Sequence, residues 1–76
     1  MKTQYKFIHF VKIVDAFDNI IMWSCRNNRS KEELGEIKWY GSWKQFCYFP
    51  TVQAVYSVGC FEDINEFIRQ TPGTTP

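Results

Sequence analysis

The sequence is poor in the side chains that most chemistry requires. It holds one histidine, His9, and three cysteines, Cys25, Cys47 and Cys60, which are odd in number, widely spaced and without a C-x-x-C pair. Such a set does not build a disulfide scaffold, and it points to free thiols in a reducing, intracellular compartment. It also lacks the close paired spacings that put two ligands on one metal, so no metal site and no cofactor are expected. His9 has no carboxylate partner nearby in sequence and reads as a sheet or core histidine rather than a general acid or base. No Gly-rich run can cradle phosphate and no serine stands in an elbow motif. The chain is therefore read as a non-enzyme.

Charge of one sign is missing too. Nine Lys and Arg face eight Asp and Glu, so the net charge of +1 gives no general attraction to nucleic acid or to an acidic membrane. The apolar runs reach only three or four residues, far below the roughly 20 needed to cross a bilayer. No basic segment followed by a long apolar run opens the chain, and a soluble protein is expected.

What the 76 residues do have is rings: seven Phe, four Tyr and three Trp, 18% of the chain. A chain this short buries a small fraction of its surface, and large aromatic side chains are an efficient way to raise it. One domain over residues 1–70 is expected, with residues 71–76 as a frayed tail that has nothing to bury.

The apolar pattern divides this domain into strands followed by a helix. Tyr5 to Val14 is rich in Phe, Ile and Val and alternates over part of its length, which predicts a strand. Asp15 to Asn19 carries turn chemistry, and Ile20 to Arg26 is the second strand. Asn27 to Glu33 has no periodic apolar position and reads as a solvated loop. Leu34–Tyr40 and Trp43–Phe49 flank Gly41-Ser42, which predicts a two-residue type II′ hairpin, and Pro50 ends its ladder. Thr51 to Tyr56 reads as a short fifth strand or an extended edge segment. Cys60, Phe61, Ile64, Phe67 and Ile68 then recur at helical spacing, with Glu62 and Asp63 early and Arg69 late, the favourable sense for the helix dipole. The expected fold is α+β: an antiparallel sheet of four strands, or five, with one C-terminal helix across one face.

A two-residue turn would set opposed residues at numbers summing to 83. Trp39, Ile37, Gly35, Phe46 and Tyr48 then share a core face. Tyr40 opposite Trp43, Lys38 opposite Gln45 and Glu36 opposite Cys47 make up the outer face. Tyr40, Trp43, Lys38 and Gln45 are the candidate binding residues, since rings with a cation and an amide beside them anchor protein partners or stack on planar ligands. Lys44, Arg26 and Arg29 extend this set toward a nucleotide or single-stranded nucleic acid as the alternative ligand. A homodimer seam with no other partner is the third reading. Set against all three, a cross-strand aromatic pair also simply stabilises a hairpin, by about 0.2–1 kcal/mol.

The runs Asn28-Arg29-Ser30, Leu34-Gly35, Lys38-Trp39-Tyr40-Gly41, Trp43-Lys44-Gln45 and Cys47-Tyr48-Phe49-Pro50, followed by Cys60, Asp63, Ile64, Phe67 and Ile68, span about the last two-thirds of the chain. In these the sequence resembles a family of small phage and prophage proteins with a KWYGxW(K/R)Q(F/Y)C(Y/F)FP motif and a terminal amphipathic helix. It departs from that pattern at Ser42 and over Gln53 to Tyr56. No activity comes with the resemblance. It implies a short accessory protein in the cytoplasm of an infected or lysogenic bacterial host, with a host or anti-phage defence protein as the expected partner.

Overall fold

The computed structural model describes residues 1–18 and 20–73. Asn19, the end of the expected first turn, and residues 74–76 of the expected tail lie outside them. The chain forms β1 (Ile8–Val14), β2 (Ile21–Asn27), β3 (Glu33–Tyr40), β4 (Gln45–Pro50) and α1 (Val58–Arg69), an α+β fold. The strands make one antiparallel sheet in the order β1-β2-β3-β4, and the helix lies on one face.

β1 starts three residues later than the alternation predicts. The amide of Asn28 donates to the carbonyls of Tyr5 (2.8 Å) and Lys6 (3.1 Å), and the Tyr5 N–H donates to Ile8 O. These bonds turn the chain back on itself, so Tyr5 enters the core from outside the strand and Gln4 bridges to His9. Asp15 holds the next turn, as its chemistry predicts: its Oδ1 accepts from the N–H groups of Phe17 and Asp18.

The β3–β4 register differs from the expected one. Tyr40 pairs with Gln45, Trp39 with Phe46 and Lys38 with Cys47, so opposed numbers sum to 85. The connection is four residues long rather than two, closed by Trp43 N–H to Tyr40 O at 3.2 Å. Its left-handed position is Lys44, at φ 52°, and not Gly41. A slip of two residues keeps every side chain on its own face, because strand side chains alternate with period two. The two faces are thus as expected while each opposed pair is not.

Pro50 continues β4 instead of ending it, since an edge strand tolerates a residue without an outward N–H. Among the described residues no fifth strand follows. Thr51 closes the ladder on Leu34 O, and Tyr56 turns inward to donate to that same carbonyl, which takes the segment between them off the sheet.

The helix begins where Ser57 accepts a bond from Cys60 N–H, an ordinary N-cap. Cys60, Ile64 and Phe67 are its buried stripe. Phe61 is not part of it: 56% exposed, it leans on the Tyr56 ring at 5.3 Å. Glu62 and Asp63 fall in the second turn, since the helix starts at Val58, and Arg69 falls in the last. Phe67 is the centre of the core, stacked on Phe10 at 4.0 Å and meeting Trp23 edge-on at 5.5 Å. Trp39, expected to be core, is only half-buried at its margin against Phe46. Gly35 lies on the core face as expected, and a Cβ there would meet the Tyr48 ring at 2.5 Å and the Phe49 carbonyl at 2.8 Å.

Candidate functional site at the hairpin tip

The sheet face without the helix is built by alternation and register. It carries Val11, Ile13 and Met22 on β1 and β2, and Lys38, Tyr40, Gln45, Cys47 and Phe49 on β3 and β4. Between these halves Ser24 is wholly shielded although no element covers it. Its hydroxyl donates to Glu33 at 2.5 Å and accepts from Arg26 Nε at 3.0 Å, so the long arms of Arg26 and Glu33 close over it.

At the tip of the β3–β4 hairpin, Trp43 is 68% exposed and its ring meets Tyr40 edge-on at 5.1 Å. Tyr40 in turn meets Phe49 at 6.0 Å across the small side chain of Cys47, and Lys38 Nζ stands 4.6 Å over the Phe49 ring. The geometry brings together Trp43, Tyr40 and Lys38, with Gln45 directly opposite Tyr40 and exposed. The row Trp43–Tyr40–Phe49 is a ridge of three interlocked rings with a cation at its inner end.

Of the basic residues weighed for nucleic acid, Lys44 lies in the same turn. Arg26 does not join it. It faces Glu33, seven residues from Tyr40 along β3 and therefore about 23 Å away at ~3.3 Å per residue. Arg29 lies in the connection beyond Arg26, at the same far end.

Two further residues belong to this end of the molecule. Phe49 joins the ridge only through the four-residue turn; the alternation Gln45, Cys47, Phe49 marked its face but not its neighbours. Phe17, 95% exposed, caps the β1–β2 hairpin, whose tip points the same way as the β3–β4 tip because the strands run antiparallel in sequence order. Its signal in the sequence was an apolar ring inside a polar turn.

The titratable groups inside the molecule serve the fold. Burial pushes the Cys25 thiol up to about 11, so it is protonated at neutral pH and offers no thiolate. Burial also raises Tyr48, whose hydroxyl lies 2.8 Å from that of Tyr56. His9 Nδ1 is 2.7 Å from Asn28 Oδ1 and so helps to hold the N-terminal turn. Among the described residues no three His, Cys, Asp or Glu side chains cluster as metal ligands, and no helix is long and apolar enough to cross a membrane. A shallow hollow of about 330 Å³, lined by Asn27, Glu32, Glu33, Thr51 and Gln53 among others, lies at the end of the sheet opposite the tip. The chain matches no protein-family model, no curated protein and no solved structure.

Proposed function

We propose that the chain is a non-enzymatic binding protein of the phage or prophage accessory type, which inhibits a host or anti-phage defence protein by occupying its surface through the β3–β4 hairpin tip. The observation that carries this reading is Trp43: a large ring, mostly in solvent, yet held in place by Tyr40 and by a closed four-residue turn. An anchor of this kind loses little freedom on binding, and Trp and Tyr are the residues most enriched where interface energy concentrates. A standard interface takes about 800 Å² from each partner, which a molecule of 5426 Å² can present at this end without using its core. Blocking by occupancy needs no catalytic group. The place of action is the cytoplasm of an infected or lysogenic bacterial host.

The presence of Lys38 and Lys44 beside the rings favours a second reading, a nucleotide or single-stranded nucleic-acid binder. The rings of the ridge meet edge-on rather than lying side by side as a stacking platform, and Arg26 and Arg29 lie elsewhere, which favours a protein. Affinity purification of the tagged chain from infected bacterial cells, washed at increasing salt, separates the two. One protein recovered in stoichiometric amount and retained at high salt supports inhibition by occupancy. Recovery of RNA or nucleotide that is lost steeply with salt supports the second reading.

A further inference from the structure

The sheet has two edges, β1 and β4. The chain's own N-terminus covers part of β1, through Phe10 N–H to Thr3 O and Tyr5 N–H to Ile8 O. Among the described residues no backbone segment pairs with β4 in this way. Thr51 N–H donates to Leu34 O, and in the same register Phe49, Cys47 and Gln45 face β3 in hydrogen-bonded pairs. The N–H and C=O groups of Phe46 and Tyr48 therefore point away from the sheet, and among the described residues neither has a backbone partner.

Natural edge strands are usually blunted by charge, by bulges or by proline. β4 has only Pro50, at its last position. No charged side chain stands anywhere between Lys44 and Glu62, although the rest of this short chain carries nine basic and eight acidic residues. About a two-fold axis each residue near the axis approaches its own copy, so a charged edge repels itself and an uncharged one does not.

We propose that the β4 edge pairs antiparallel with β4 of a second copy of this chain, Phe46 opposite Tyr48 of that copy, about a two-fold axis at Cys47. This register uses both donors and both acceptors of Phe46 and Tyr48. Sliding it by one pair toward Pro50 opposes Phe46 to a residue with no N–H and leaves the Phe46 carbonyl unpaired. Cys47 then faces its own copy in a non-hydrogen-bonded pair, where Cα atoms lie about 4.5 Å apart, within reach of a disulfide. The pairing lies along the strand and leaves Trp43 free, so it goes beyond the function proposed above and does not depend on it.

The test combines mass, amide exchange and cross-linking on the whole chain. Sedimentation should show the 9.1 kDa chain moving toward twice its mass as concentration rises. The Phe46 and Tyr48 amides should slow in hydrogen exchange over the same range, while amides already bonded within the sheet do not change. Diamide should join two chains through Cys47: the two thiols lose two protons and two electrons, and the diamide is reduced to its hydrazine. Cys25 and Cys60 are buried and should stay free. Cys47→Glu puts a carboxylate opposite Lys38 within the chain, which suits the monomer, and sets like charges at the axis. It should remain monomeric where the unmodified chain is dimeric. A chain that stays monomeric with fast Phe46 and Tyr48 amides overturns the proposal. So does a dimer that leaves those amides fast and is dissolved by Trp43→Ala, which would be a face-to-face contact, or one that Cys47→Glu does not weaken. Protected amides without a Cys47 cross-link would overturn the axis at Cys47.

Discussion

Trp43 meets Tyr40 edge-on at 5.1 Å, although the residue opposed to Tyr40 across the ladder is Gln45. The contact is made by the turn and not by the strand pair. It therefore depends on the left-handed backbone of Lys44, at φ 52°, which brings the ring of Trp43 back over β3. A β-branched residue adopts that conformation poorly. Lys44→Val should open the turn and lower stability by about 1–2 kcal/mol, and Lys44→Gly should not. Urea unfolding of the pair checks this.

The two tryptophans of the β3–β4 hairpin should differ in what they do for stability. Trp39 is half-buried against Phe46, so Trp39→Ala should cost roughly 1–3 kcal/mol, less than the roughly 3–5 of a fully buried ring. Trp43 is mostly exposed, and Trp43→Ala should cost about 1 kcal/mol or less. Denaturant midpoints measured side by side give the order.

Phe67 is fully buried between Phe10 and Trp23. Phe67→Ala should cost about 3–5 kcal/mol, a large part of the stability of a domain this size. Loss of the cooperative thermal transition is the expected outcome. A melting temperature within a few degrees of the unmodified chain would show that the helix does not pack as described.

Gly35 has no room for a side chain beside the Tyr48 ring and the Phe49 carbonyl. Gly35→Ala should lower stability by roughly 1–3 kcal/mol through displacement of β4. The Tyr48 ring is held on its far side by Tyr56, so it cannot simply swing away. Thermal melts read the loss.

Alkali should weaken the fold. The Cys25 thiol ionises at about 11 when folded, against 9.0 for a free thiol, so the folded chain holds its proton more tightly. Its contribution is fully present below pH 9.0 and is lost as pH rises toward about 11, by roughly 2–3 kcal/mol. Tyr48 and Tyr56, also raised by burial from the ordinary 10.0, act in the same sense from about pH 10 upward. Cys25→Ala should flatten the first part of this fall in urea midpoint and leave the tyrosine part.

The succession of strands and helix, the stripe of Cys60, Ile64 and Phe67 and the two sheet faces were legible because they rest on periodicity, which survives errors in turn length. The hairpin register was not. Gly41 favours a tight turn in any local reading, yet the left-handed position fell on Lys44, a residue whose type gives no such signal. Phe49 was missed from the ridge for the same reason. The start of β1 was set from a distance, by the Asn28 amide, and the course of Thr51 to Tyr56 by a bond from Tyr56 to Leu34 O. Neither pairing leaves a mark at its own position in sequence. The half-burial of Trp39 follows from the helix passing over Phe10 and Trp23 rather than over the hairpin end, which no local pattern encodes.

The hairpin tip as the binding site is tested most directly by one comparison: partner capture from infected bacterial cells by the unmodified chain and by Trp43→Ala, with the melting transition of both recorded on the same preparations. The variant is expected to unfold cooperatively within a few degrees of the unmodified chain and to lose the partner. A folded Trp43→Ala variant that captures the partner as well as the unmodified chain would contradict the hairpin tip as the binding site.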